Sequence, residues 1–149
     1  MSTLEEIQNE LVNAVGSDAV TLEGNSFVVK REALLKVAEA LKNGACAMDH
    51  ITCVTGVDYK EYLECVYHFA SMGQKSEPVA VKVRVQYDDP KMPSLTPLFR
   101  SCEFQEREVY DMVGIEFENH PDLRRILMWE DFKAFPMRKD YVEEDQDEL

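Results

Sequence analysis

Two stretches of strict two-residue alternation near the middle of the chain limit its fold more than any other feature. Apolar residues fall at Leu63, Cys65, Tyr67 and Phe69, with Glu64 and His68 facing the other way. They fall again at Val79, Val81, Val83 and Val85, between Ala80, Lys82, Arg84 and Gln86. A period of two sends successive side chains to opposite faces, so each stretch reads as a strand with one buried face. Gly73 to Pro78, rich in strand breakers, joins them as a turn. A third stretch, Met48 to Val57, carries Ile51, Cys53 and Thr55 at the same spacing and is broken by Gly56.

Helical spacing precedes these strands. Residues 3–15 set Leu4, Ile7, Leu11 and Val15 three and four apart, with Ser2 or Thr3 as cap and Glu5 or Glu6 in the first turn. Val20 to Glu23 and Ser26 to Val29 are short β-like pieces split by Gly24-Asn25, a hairpin signal. Arg31 to Asn43 is a second amphipathic helix, with Leu34, Leu35, Val37, Ala38 and Leu41 as its apolar side and Gly44 as its stop. The pattern predicts an α+β fold: a meandering sheet, antiparallel or mixed, with helices packed on one face.

After Asp88-Asp89-Pro90 the style changes. Pro93 and Pro97 bracket a short helical turn with Ser94 as its cap. Glu103 to Val113 is helical and Gly114 ends it. Pro121 to Met128 reads as a short helix with proline at its first position and Asn119 or His120 as cap. Trp129 to Tyr141 reads as irregular. The chain thus divides into a sheet domain over 1–92, an extended C-terminal segment with short helices over 93–141, and an acidic tail over 142–149.

With 149 residues, 45% of them hydrophobic, the chain can build one core. A net charge of −13 argues against nucleic acid, whose binding needs clustered Lys and Arg. Apolar runs are far shorter than the roughly 20 residues of a membrane span, and the first residues lack a signal or transit pattern. The expected place is the cytoplasm, with membrane contact only through partners. Cys46, Cys53, Cys65 and Cys102 form no C-x-x-C motif. They are expected to be buried small hydrophobes, and no metal or cofactor ligand is assigned.

Three charged clusters carry information. In Glu106-Arg107-Glu108-Val109-Tyr110-Asp111, Arg107 and Asp111 stand four apart and can pair on a helix, with Glu108 near the same turn. As a solvated face this is ordinary, which is the reading the sequence favours. As a buried cluster it must be fully paired. His120-Pro121 reads as a cap, or alternatively as a metal or proton-transfer site, although no second His and no Cys stand near it. Arg124-Arg125 is either a solvated pair or a clamp on a carboxylate. Arg138, Lys139 and Asp140, after Pro136-Met137, complete what looks like a repeatedly basic surface suited to an acidic partner.

The run E-R-E-V-Y-D-M-V-G-I-E-F-E-N-H-P-D-L-R-R-I-L, Glu106 to Leu127, resembles the signature of the 30-kDa subunit family of complex I-type NADH-quinone oxidoreductases. P-M-R-K-D-Y, Pro136 to Tyr141, resembles that family's closing motif, and P-S-L-T-P-L-F, Pro93 to Phe99, also fits. The likeness covers roughly residues 30–141 and is strongest from Pro93. Asn119 stands where the family usually has Gly, Met137 where it has Leu, and Val142 where it has Pro. Phe104-Gln105 replaces a Trp-containing approach, and Ala134-Phe135 departs from the usual residues before the closing motif.

The resemblance implies a hydrophilic-arm subunit without a cofactor of its own, iron–sulfur clusters being in neighbouring subunits. It implies a hydrogenase-like large subunit (D type) and a small iron–sulfur subunit (B type) as partners, on the inner face of the membrane. The complex would carry electrons from NADH or a similar donor to quinone, coupled to ion translocation. The equivalent subunit of a ferredoxin-dependent membrane-bound [NiFe] hydrogenase shares the motif and stays open. Two readings of other classes are a stand-alone enzyme using Glu106 or Glu108 beside His120, and a free soluble adaptor. The residues expected to form or brace the partner contact are Glu106, Arg107, Glu108, Asp111, His120, Pro121, Arg124, Arg125, Arg138, Lys139 and Asp140.

Overall fold

A computed structural model describes residues 2–73 and 76–143. The first helix, α1 (Leu4–Val15), opens with a capping box. The Thr3 hydroxyl accepts from the Glu6 N–H, and the Glu6 carboxylate accepts from the Thr3 N–H, so two donors that no helical carbonyl can reach are satisfied. β1 (Val20–Glu23) and β2 (Ser26–Val29) form the expected hairpin. A 3-10 turn over Arg31–Ala33 leads into α2 (Leu34–Asn43), whose buried stripe is Leu34, Val37, Ala38 and Leu41. Leu35, assigned to that stripe, sits at its margin and is exposed.

β3 (His50–Asp58), β4 (Leu63–Ala70) and β5 (Val79–Val85) form an antiparallel meander. The hairpin joins it through β2, which lies parallel to β5, giving the order β1-β2-β5-β4-β3. The sheet is therefore mixed. The turn between β4 and β5 includes residues 74 and 75, which lie outside the described residues.

Two details of β3 depart from the alternation. Its register shifts between Ile51 and Cys53, so the extra residue turns Val54 inward and leaves Cys53 exposed. The other three cysteines are buried. Gly56 does not break the strand but pairs with Cys65 inside it. A Cβ at Gly56 would lie 2.8 Å from Val109 and 3.1 Å from Val113, so the absent side chain lets a third helix approach the sheet.

That helix is α3 (Glu103–Val113). It ends at Gly114, which takes the left-handed conformation at φ 85°. Before it, β6 (Lys91–Pro93) pairs in parallel with β7 (Glu116–Glu118), two pieces too short to show a period in sequence. Ile7, Leu11, Phe27, Leu34, Tyr67, Phe69, Val81, Leu95, Val109 and Ile115 belong to one buried cluster, so all three helices share one core on one face of the sheet. The boundary drawn after residue 92 falls inside β6, and Leu95 to Phe117 feed the same core. On the opposite face Glu64 is buried beneath Arg84, whose Nε donates to it at 3.0 Å, while His68 is exposed.

Residues 119–143 run over the outside of α3 as an irregular strap. The helix expected over Pro121 to Met128 is absent. The N–H groups of its last three residues, Ile126 to Met128, go to a side chain of α3 instead of to carbonyls of their own turn. The acidic tail assigned to 142–149 lies, from residue 144 on, outside the described residues.

Candidate functional site

Glu106, in the first turn of α3, is fully buried and faces the sheet. Its carboxylate accepts from the Tyr67 hydroxyl at 3.0 Å, the Ser94 hydroxyl at 2.5 Å, the Leu95 N–H at 2.8 Å and the Thr96 hydroxyl at 3.2 Å. Burial pushes this carboxyl above its usual range, and the Ser94, Leu95 and Tyr67 donors work against that push without cancelling it. The knot ties the loop after β6 to both α3 and β4. Burial also raises the thiols of Cys65 and Cys102 and the phenol of Tyr67, with the Glu106 charge adding to each.

Arg107 and Asp111, one helical turn apart, do not pair with each other. Both are buried, against the solvated-face reading. Arg107 donates to the carbonyls of Arg124 and Arg125 at 3.1 and 3.0 Å. Asp111 accepts from the N–H groups of Ile126, Leu127 and Met128 at 3.2, 2.6 and 2.8 Å, and from Arg125 at 2.7 Å. Burial alone would push the Asp111 carboxyl up. The Met128 N–H, the Arg125 guanidinium and the Leu127 and Ile126 N–H groups outweigh it and hold the carboxyl below its usual range. Two helix side chains one turn apart thus satisfy a backbone that has no regular structure of its own.

His120 pins the start of the strap. Its Nδ1 accepts from the Asp122 N–H at 3.0 Å, so Nε2 carries the proton and donates to the Glu103 carbonyl at 2.9 Å. The helix cap expected of His120 is not formed, because no helix follows; the ring closes a local turn instead. Farther along, Arg125 also donates to the Ala134 carbonyl at 2.7 Å, and the Met137 N–H bonds the Met112 carbonyl at 2.9 Å. Arg138 donates to the Val113 carbonyl at 2.6 Å. The Phe135 ring lies between the guanidiniums of Arg125 and Arg138, 5.2 and 4.6 Å from its centroid. A Cβ on Gly114 would come within 2.7 Å of that ring.

The strap's last attachment is to the sheet. Asp58, at the end of β3, is buried and accepts from the Lys139 N–H at 2.8 Å, the Lys60 N–H at 2.7 Å and the Tyr87 hydroxyl. Burial alone would raise its carboxyl; the Tyr87 hydroxyl and the two N–H groups hold it below its usual range.

Of the expected residues, Glu106, Arg107, Asp111, His120, Arg125 and Arg138 meet in this brace, and Lys139 joins it through its backbone. Glu108, Pro121, Arg124 and Asp140 are exposed, Arg124 paired only with Asp122 at 2.9 Å. The clamp reading of Arg124-Arg125 is therefore right for Arg125 alone. The roles of Tyr67, Thr96, Asp58 and Phe135 in the brace escaped the sequence reading. Ser94, expected as a cap, does accept from the Thr96 N–H at 3.1 Å and also donates to Glu106. Ser94 and Thr96 also lie in the P-S-L-T-P-L-F motif, the signal that pointed near Thr96.

The acid–base pair imagined for a stand-alone enzyme does not form. Glu106 is sealed from solvent with both oxygens bonded, Glu108 is exposed and bonded to nothing among the described residues, and both His120 nitrogens are engaged. Nor do the described residues hold any group of three or more His, Cys, Asp and Glu side chains placed for a metal. No helix among them is long and apolar enough to cross a membrane.

Residues 27–147 match the model of the family described as "Respiratory-chain NADH dehydrogenase, 30 Kd subunit". The chain is similar to the J subunit of the NAD(P)H-quinone oxidoreductase of Synechococcus sp. (strain CC9605), 35% identical over 92% of this chain and 82% of that protein. It is 43% identical to the C subunit of the NADH-quinone oxidoreductase of Chloroherpeton thalassium over 62% of this chain, but spans only 39% of that relative's length. Among solved structures, a trypsin-resistant fragment of Nqo5 superposes with a TM-score of 0.67 at 32% identity, covering 80% of this chain and 98% of the fragment. A chain of the membrane-bound sulfane sulfur reductase, an archaeal respiratory membrane complex, superposes at 0.75 with 22% identity over 97% and 98%, a likeness of fold.

Proposed function

This chain belongs to the respiratory-chain NADH dehydrogenase 30 Kd subunit family, and on that premise we propose that it is a non-catalytic hydrophilic-arm subunit of a complex I-type membrane-bound oxidoreductase. It carries no cofactor in this reading. It holds a hydrogenase-like large subunit and a small iron–sulfur subunit together, so that electrons pass from NADH or a similar donor to quinone. It sits peripherally on the inner face of the membrane through those partners.

The observation that carries the reading is the pre-shaped strap. Side chains of α3 fix the irregular backbone of residues 124–128, and His120 and Arg138 tie the strap back to α3 carbonyls, while Leu127, Trp129 and Met137 stand 59–63% exposed on its outside. A free monomer gains little from exposing large apolar groups. An assembly subunit gains from the same groups a docking surface that a partner covers.

The test is affinity purification of the tagged protein from its native membranes, followed by mass spectrometry. Recovery with a hydrogenase-like large subunit and an iron–sulfur small subunit is expected. Nickel-ligating cysteines in that large subunit would instead select the hydrogenase-type complex. Recovery as a lone soluble chain would overturn the proposal in favour of a free adaptor.

A further inference from the structure

The outside of the strap has a polarity that its sequence conceals. Residues 119–143 contain as many acidic as basic side chains, five of each. Folding removes two of the bases from the surface. Arg125 turns in to Asp111 with its side chain 9% exposed, and Arg138 turns in to the carbonyls of Val113 and Gly114 beneath Phe135 and Tyr87. Arg124 is neutralised locally by Asp122. What stands exposed and without an ion pair among the described residues is Glu130, Asp131, Asp140 and Glu143 against Lys133 and Lys139.

Apolar anchors interrupt this anionic surface. Of the eight exposed large hydrophobic side chains among the described residues, four lie here: Leu127, Trp129, Met137 and Val142. Trp129 is the best placed. Its ring packs edge-on against Phe132 at 4.8 Å, and Phe132 stacks on the Arg125 guanidinium at 5.3 Å. The buried Asp111–Arg125 pair therefore supports an indole that remains 59% exposed. A rigid, half-exposed aromatic amid small charged groups is the arrangement from which binding hot spots are made.

We propose that the protein surface this strap docks against is the electrostatic inverse of the one the sequence suggests: an apolar pocket that takes Trp129, rimmed by Lys and Arg that face Glu130, Asp131 and Asp140. The arginines of the signature motifs are not offered to an acidic partner. Arg107, Arg125 and Arg138 are consumed in holding the strap, and Arg124 is paired with Asp122. The same charge disfavours an anionic lipid surface as the occupant, since such surfaces attract polybasic segments. This inference rests on the assembly reading above and adds the chemistry of the partner's face.

A competition experiment in the native host tests it. Tagged variants are expressed beside the untagged wild-type chain, and each one's share of the membrane complex is measured by mass spectrometry. Glu130→Lys with Asp131→Lys should lower incorporation about tenfold, the scale of electrostatic steering, with the defect shrinking in high salt during reassembly of the extracted complex. Trp129→Ala should lower it about thirtyfold, the scale of a hot-spot truncation. Lys133→Glu with Lys139→Glu should incorporate as well as the wild type or better. Should a reversal variant fold poorly, Glu130→Gln with Asp131→Asn must show a smaller loss in the same direction. Equal incorporation of the acid-reversed and wild-type chains, or loss on reversing the lysines, would overturn the inference and leave the assembly role standing. Absence of the tagged wild-type chain from any redox complex would remove both.

Discussion

Arg125 and Asp111 stand 2.7 Å apart with side chains 9% and 0% exposed, joining the strap to α3 across fourteen positions of sequence. Asp111 also takes the N–H groups of three consecutive strap residues. Asparagine is nearly the same size but must turn an N–H₂ either toward Arg125 or toward those N–H groups, setting donor against donor. Asp111→Asn should therefore cost about 3–5 kcal/mol, the scale for removing one partner of a buried ion pair. The sole tryptophan, Trp129, lies in the strap and reports its release. Urea unfolding followed by indole fluorescence should show the strap leaving before the far-ultraviolet signal of the sheet is lost. A variant within about 1 kcal/mol of the wild type would contradict the brace.

The two carboxylates that hold the strap also set a pH dependence. Asp111 and Asp58 both lie below the usual carboxylate range in the folded protein. A group with a depressed folded pKa contributes stability that is fully present above its unfolded value, about 4, and is lost as pH falls through the folded value. The strap should stay attached from neutral pH down to about pH 4 and loosen below it. Guanidinium unfolding of the wild type between about pH 6 and pH 3 should give a steep loss below about pH 4. Asp111→Asn, already deprived of one of these groups, should give a shallower one. Parallel curves would show that Asp111 is not among the groups responsible.

Cysteine reactivity checks the register of β3. The shift between Ile51 and Cys53 puts Cys53 on the surface, while Cys46, Cys65 and Cys102 are buried. Burial and the Glu10 carboxylate beside it push the Cys46 thiol up to about 11, and burial raises Cys65 and Cys102 as well. The thiolate is the reactive form. Native alkylation at about pH 8 should place one adduct, on Cys53, and unfolding should expose the rest. Early labelling of Cys65 in the native state would contradict the buried β4 face.

The elements that local chemistry specifies were legible. Thr3 and Glu6 announce α1, Gly24-Asn25 the hairpin, and Gly114 the end of α3, because caps and tight turns depend on residues a few positions away. What was illegible depends on distant contacts. Ile126 to Met128 look helical until Asp111 supplies their N–H groups with another acceptor. Arg107 and Asp111 look like a surface pair until the strap gives each a separate task. A one-residue shift in β3 inverts the meaning of Cys53 and Val54, since alternation is informative only while its phase is kept. Of the strap residues singled out for a partner contact or its bracing, His120, Arg125 and Arg138 turn in to the brace, while Pro121, Arg124 and Asp140 stay exposed. Their direction, inward for Arg125 and Arg138, could not be read from type or spacing.

Glu106 offers the sharpest contrast between charge and hydrogen bonding. Its four donors include three hydroxyls, from Tyr67, Ser94 and Thr96, and one fixed N–H, from Leu95. A glutamine can give its oxygen to the Leu95 N–H and the Tyr67 hydroxyl. Its N–H₂ then faces Ser94 and Thr96, whose hydroxyls can rotate to accept. It also removes a buried charge, which burial already disfavours. Glu106→Gln should therefore cost only about 1 kcal/mol. Glu106→Ala leaves those same donors without an acceptor inside the core and should cost roughly 4 kcal/mol. Urea unfolding of both variants at neutral pH decides the matter. A glutamine variant as damaged as the alanine one would mean that the negative charge itself is required, and that the knot between α3, β4 and the loop after β6 is held by electrostatics beyond the hydrogen bonds described above.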